Sequence, residues 1–564
     1  MASALNKFQP MWTKRVATEM SGRDPLGLSR LGDTIKEFLL SGINTNNTRA
    51  RYYSFYCWAL WHIEHEENPR GYREFVDAFR RREAAMALAT MAHNRETSPV
   101  GVKAVRPRLD EGITTGLFDC DFKVLPSNSL GGYGQYYAGS LYHLKLYHRP
   151  EDSFDLVTPV VGEALARAFH TTIESTPYIK KELFRVTEIA KGDLLKSAEF
   201  LTLDALDRNF CKAEREGLIN AFFGFNDSEA GETAVLRRHS LALILHAIAE
   251  YERNGVRPDA SAGGDLDEYL LYAFYYNVLW LDDEKTVAYH SPQELTFCQG
   301  LWRQFCLHQF LTQALELLLY GVLELLSVDA TGLPPDEISD RLTGSDFPDA
   351  LAEVTGRSCG RPCDLLAALG VRAIPDEAAS RKLQEKLLPT HELSEAQILR
   401  LEVGSAQREA ARGVLLLATL YGKWRGVAQD YALGYVTSRA GQDVWAGRIL
   451  PALDHWLDPQ VSWEEAFRAL VETFVLNQHD RVMYEKGKLE SCWLQRTGGR
   501  VVKEQDYEPA WRSSRHYNAV RIMRDLGLVT INEDNEVSIT TRGRRTLEKA
   551  LKLSHGAQEE YKPF

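Results

Sequence analysis

Apolar residues recur at three- and four-residue spacing through most of this chain, while strand-like alternation is rare, and that periodicity restricts the fold to mainly helical architectures. Helical patterns cover, among others, 49–66, 71–90, 202–222, 233–254, 291–327, 392–421, 463–486, 515–526 and 544–552. The stretch 291–327 exceeds a typical globular helix, so Gly300 or Gly321 is expected to kink or end it. At 564 residues the chain is longer than one hydrophobic core usually serves. The expected organisation is an N-terminal helical domain at 1–125, a central helical domain at 126–330, a second helical region at 331–456 and a distinct C-terminal domain at 457–564. Stretches rich in glycine, proline and aspartate at 94–123, 254–265 and 329–350 read as surface crossings or linkers, with one short helix possible at 335–342.

The C-terminal pattern is the most specific. Tyr517, Val520, Met523 and Leu526 share one helical side, Gly527 supplies a stop signal, and 528–531 and 537–541 read as short strands joined by a turn at 532–535. A helix, a tight hairpin and a closing helix in that order resemble the second half of a winged helix-turn-helix domain, with 463–486 available as the upstream helix. The fold class is therefore expected to be mainly α, a multidomain helical protein with a C-terminal winged helix-turn-helix-like domain.

In many such domains the helix before the hairpin enters the major groove. Arg515, His516, Asn518, Arg521 and Arg524 are expected to face outward, and Arg542, Arg544 and Arg545 follow the hairpin. Arginine suits guanine edges and phosphates, and asparagine suits adenine, so these eight residues are candidate contacts to double-stranded DNA. Against a reading role, 501–564 carries eleven Lys or Arg and ten Asp or Glu, and Glu533, Asp534 and Glu536 crowd the turn. A brace or protein-docking wing is favoured. The whole chain carries a net charge of -12, so any DNA contact must be local.

Near the N-terminus, an Asn- and Thr-rich cap precedes Arg49, Arg51, Tyr52, Tyr53, Tyr56 and Trp58. Two guanidinium groups beside phenol rings suit a carboxylate or phosphate, which makes Arg49, Arg51, Tyr52, Tyr53 and Tyr56 a candidate anion- or partner-binding group. The competing account is an aromatic core with a buried ion-pair network.

Three segments, Asp24-Pro-Leu-Gly-Leu28, Leu39-Leu-Ser-Gly-Ile43 and Thr48-Arg-Ala-Arg-Tyr-Tyr-Ser-Phe-Tyr-Cys-Trp58, resemble the opening of large uncharacterised bacterial proteins often encoded in mobile or antiphage defence loci. Gly131-Gly-Tyr-Gly-Gln-Tyr-Tyr-Ala-Gly139 is similar to the same group. The resemblance implies a bacterial defence subunit and carries over no catalytic residue.

Signatures of common catalytic machinery are missing. There is no Walker A loop, no His-Glu-x-x-His and no Gly-x-Ser-x-Gly, and the cluster Gly131, Gly132, Gly134 lacks the strand, helix and acid of a dinucleotide site. Cys359 and Cys363 have a spacing that holds a metal only if distant ligands converge. His479, Asp480, Glu485, Lys486 and Lys488 invite a metal-dependent nuclease reading, since paired carboxylates hold Mg²⁺, but their helical context favours solvated charge. No catalytic residue, metal site or cofactor is assigned. Eight sparse cysteines in mostly apolar contexts fit a reducing compartment, and the apolar stretch 310–326 is short and contains Glu316 and Glu324, so a cytoplasmic protein without membrane association is expected.

These readings converge on a non-enzymatic scaffold or adaptor in a bacterial multiprotein antiphage defence system, with protein partners and possible DNA contact. The alternatives are a winged-helix DNA-binding regulator or target-recognition subunit, and a metal-dependent nuclease.

Overall fold

A computed structural model describes residues 24–151, 153–225, 231–282, 285–427, 446–487 and 492–554. The protein is mainly helical and multidomain, and it ends in a helix-turn-helix-like arrangement followed by a small β-hairpin wing. The chain divides into two compact units, each assembled from segments far apart in sequence. One joins 33–305 to 513–564, and the other joins the residues up to 32 to 306–512.

The unit 33–305 with 513–564 is organised around the helix Arg51–Glu66, in which every residue from Arg51 to Ile63 is buried. A helix apolar on all faces needs partners on all faces. Here they include Tyr72–His93, Val161–Ile173 and Lys212–Phe223. The segment 94–123, read as a surface crossing or a join between short elements, forms the helix Val102–Thr115 and the strand Leu117–Asp119, which pairs antiparallel with Glu188–Ala190.

The Gly-rich segment 131–134 is a packed turn. It leads into a π-helical turn, Tyr133–Tyr137, laid over the buried Glu83. Glu83 Oε1 accepts from the Tyr56 hydroxyl at 2.8 Å and from the Gly132 amide at 2.9 Å. Gly131 has φ +53°, and a Cβ there would stand 1.8 Å from Glu83 Oε2, so only glycine fits.

In the other unit the helix Ala406–Trp424 is central and packs against Asp346–Thr355, Glu377–Lys386 and Glu395–Arg400. Its buried Lys423 pairs with buried Glu395 at 2.8 Å. The expected break at Gly300 or Gly321 is corrected, since Thr296–Leu326 is one continuous helix. Gly321 serves close approach instead, because a Cβ there would lie 2.9 Å from the Ala406 carbonyl oxygen. Glu316 is fully buried on this helix and accepts from Arg512 at 2.7 Å. The helix Gln293–Leu326 is long and apolar enough to cross a membrane, and 89% of its most apolar window is buried within the chain.

The short helix Pro335–Leu342 forms, and just before it Leu333 bridges to Val501. The run 463–486 belongs to this unit, whereas 513–564 belongs to the other. The C-terminal helices His516–Asp525 and Thr541–Ser554 pack instead on Leu266–Leu271 and Glu232–Arg253. The stretch 254–265 has the expected turn and loop character, between the helices Glu232–Arg253 and Leu266–Leu271. Its Ala260 amide donates to Asn535 O at 2.9 Å, and Pro258 O accepts from the Val537 amide at 3.0 Å, so it lines the wing.

Burial pushes the Glu83 carboxyl up to about 7, against the opposing pull of hydrogen bonds from Tyr56, Gly132 and Tyr133. The fold therefore holds a proton that the unfolded chain releases near 4.5, and stability falls as pH rises from there to about 7. The variant Glu83→Gln should gain on the wild type by on the order of 3 kcal/mol across that window. Urea unfolding of both proteins at pH 5 and pH 8 measures the difference.

Candidate anion-binding cleft and the C-terminal helix

The N-terminal candidates occupy two different environments. Arg51 is fully buried, and its guanidinium meets Glu214 in a fork, Nε to Oε1 at 3.1 Å and Nη2 to Oε2 at 3.2 Å. It also donates to the Thr202 carbonyl and lies 4.9 Å from the Phe169 ring centroid. Ser54 Oγ donates to the same carboxylate at 2.6 Å. Tyr52, Tyr53 and Tyr56 are core residues with hydroxyls bonded to the Val100 amide, Gly42 O and Glu83 respectively. The aromatic group expected to offer a partner-binding face is thus corrected: a helix buried on all sides has no free face, and Arg51 is neutralised within the fold.

Arg49 is different. It stands just before this helix and links three segments. Nε donates to Asp525 at 2.9 Å, and Nη2 donates to Asp204 at 2.6 Å and to Leu203 O at 3.1 Å. Asp525 also accepts from the Ala50 amide at 3.1 Å, where Ala50 opens the helix. Burial alone would lower the Arg49 pKa, but Asp525 and Asp204 raise it above its ordinary value.

The C-terminal candidates also separate. Arg515, His516 and Asn518 are buried, which corrects their expected outward placement. Arg515 opens its helix with φ +69° and donates to Ile43 O at 3.0 Å and to Glu37 at 2.5 Å. His516 lies 4.3 Å from the Trp302 ring centroid and 3.2 Å from Asp267. Arg544 pairs with Glu252 at 2.7 Å, while exposed Arg542 and Arg545 have no carboxylate partner among the described residues. The periodicity was sound, but the helix start is covered by other segments of the same unit, which the local sequence does not reveal.

Arg521 and Arg524 face a polar cleft of about 570 Å³ together with Arg49, which brings together two candidate groups nearly 480 residues apart. Arg524 pairs with Asp525 at 2.8 Å. Arg521 has no carboxylate partner among the described residues, and its guanidinium lies 5.9 Å from the Tyr517 ring centroid. Thr48, Asn94, Glu96, Ser98, Asp204 and Asp207 also line the cleft. None of these six was singled out by sequence as cleft-lining. They come from loops and turns without a motif, and only the folded chain brings them together.

The remaining chemical candidates stay apart. Asp480 pairs with Arg496 at 2.8 Å, Glu485 is exposed, and Lys488 lies outside the described residues. Cys359 is buried and all eight cysteines are free. Among the described residues no group of three His, Cys, Asp or Glu side chains is placed to hold a metal ion. No family model, curated protein or solved structure matches this chain.

Removing Glu214 strands the Arg51 charge in the core. Glu214→Ala should therefore cost about 3–5 kcal/mol, while the double replacement Arg51→Met with Glu214→Leu should cost much less. Denaturant unfolding of both variants checks the asymmetry.

Proposed function

We propose that the protein acts by binding rather than by catalysis, as a helical scaffold or adaptor whose C-terminal wing braces its own unit. The observation that carries this reading is the occupation of the wing and its helix by the chain itself. Residues 258–260 line the hairpin, and Glu37, Ile43 O, Asp267 and Trp302 surround the start of the helix that would otherwise enter a DNA groove. The exposed turn holds Glu533 and Asp534, which repel a phosphate backbone. The setting proposed for the scaffold, a cytoplasmic multiprotein antiphage system of a bacterium, rests on the resemblance of 24–58 and 131–139 to proteins of such loci. Crosslinking and mass spectrometry of the tagged protein from its native cell should recover a nuclease, helicase or ATPase in stoichiometric amount. Recovery of the protein alone would remove that setting.

One observation favours a second reading, contact with double-stranded DNA: Arg542 and Arg545 are exposed and have no carboxylate partner among the described residues. The brace reading expects little DNA affinity at physiological salt and no effect of Arg542→Glu with Arg545→Glu. An affinity that falls steeply with salt and is lost in that double variant would overturn it in favour of DNA binding. Fluorescence anisotropy with a labelled duplex, across a salt series, makes the distinction.

A further inference from the structure

The polar cleft at Arg521 holds binding groups that the fold leaves unused. Arg49 is consumed by Asp204 and Asp525, and Arg524 by Asp525, so both are structural cations. Arg521 is half-buried beside them, with no hydrogen bond or ion pair to the described residues beyond its approach to the Tyr517 ring. Burial holds its pKa below the ordinary arginine value, and repulsion from Arg524 and Arg49 acts in the same direction against the smaller pull of Tyr517 and Asp525. An anion in the cleft relieves that repulsion, and a planar guanidinium fork matches phosphate oxygens in a bidentate manner.

Around this cation the cleft offers neutral polar groups. The hydroxyls of Thr48 and Ser98 have no partner among the described residues, and Asn94 uses its side-chain oxygen on the Glu96 amide, which leaves its NH2 group available. Glu96 and Asp207 are exposed at the cleft and suit the hydroxyls of a ligand. The same carboxylates disfavour a polyanion, so a single phosphate on a neutral, hydroxyl-bearing body fits where a nucleic-acid strand does not. A volume of about 570 Å³ lies in the range of small-molecule sites.

We propose that this cleft binds a hydroxyl-bearing phosphate monoester of nucleotide size, with Arg521 as its phosphate ligand and Thr48, Asn94 and Ser98 contacting the body. The site lies where the C-terminal helix meets the loop 94–98 and the 3-10 helix Leu203–Asp207, and its occupation ties these segments together.

Calorimetric titration of the full chain at low salt with adenosine monophosphate and ribose 5-phosphate, and with adenosine as the uncharged control, tests this. Both phosphate-bearing probes should bind, and adenosine should bind at least about tenfold more weakly. Arg521→Gln should weaken both probes by about tenfold or more while its melting temperature without ligand stays that of the wild type. Saturation by neither probe, or equal binding by Arg521→Gln and wild type, would overturn the proposal. Should the variant melt lower, modification of Arg521 by phenylglyoxal in the wild type decides instead. Mass spectrometry should show protection by adenosine monophosphate and none by adenosine, and absence of that difference sinks the assignment.

Discussion

The guanidinium of Arg49 ties the C-terminal helix His516–Asp525 to two other segments of its unit. It reaches Asp525 on the C-terminal helix and Asp204 on the turn 203–207, and Asp525 in turn satisfies the Ala50 amide at the head of the central helix. A carboxylate near a helix N-terminus is favoured by the free amides there as well as by the arginine. One cluster of charges therefore joins the start of the buried helix, the end of the C-terminal helix and one wall of the polar cleft. Two residues further on, Arg51 repeats the device in the dry interior with Glu214, where the fork geometry and four further groups compensate the loss of water.

The C-terminal helix sits in a familiar outline. Its order of helix, hairpin and helix is that of a winged module, but its first residues face inward and its last polar residues, Arg521, Arg524 and Asp525, face a cleft. The start of this helix is covered within its unit, while Arg521 and Arg524 stay at the cleft. The backbone arrangement and the chemistry of the exposed positions are separable properties.

Helical periodicity made the fold class legible, and the wing was legible because its hairpin signals are local, from Gly527 to Thr541. The short helix Pro335–Leu342 stood as an option within its stretch and forms. Where the sequence misled, distant packing decided. Gly321 looked like a break and is a close crossing, and the prolines of 94–123 did not announce a helix although Pro107 is accommodated inside one. Arg49 and Arg51 stood out as unusual, yet nothing nearby named Asp525, Asp204 or Glu214 as their partners. The cleft was illegible because its members lie on four separate segments, and a burial pattern on one helix does not say which neighbour covers its ends.

The pairing of residue 49 with residue 525 spans 475 intervening residues, and both compact units are completed only by chain from beyond residue 305. A ribosome adding about 5–20 residues per second takes roughly half a minute to a minute and a half over that span. Throughout that interval the nascent body 33–305 has its Arg51–Glu214 pair within reach but lacks the helix that shields Trp302 and answers Arg49. The emerging polypeptide therefore presents an unfinished surface for tens of seconds, which makes translation speed and chaperone access part of how this architecture is reached in a cell.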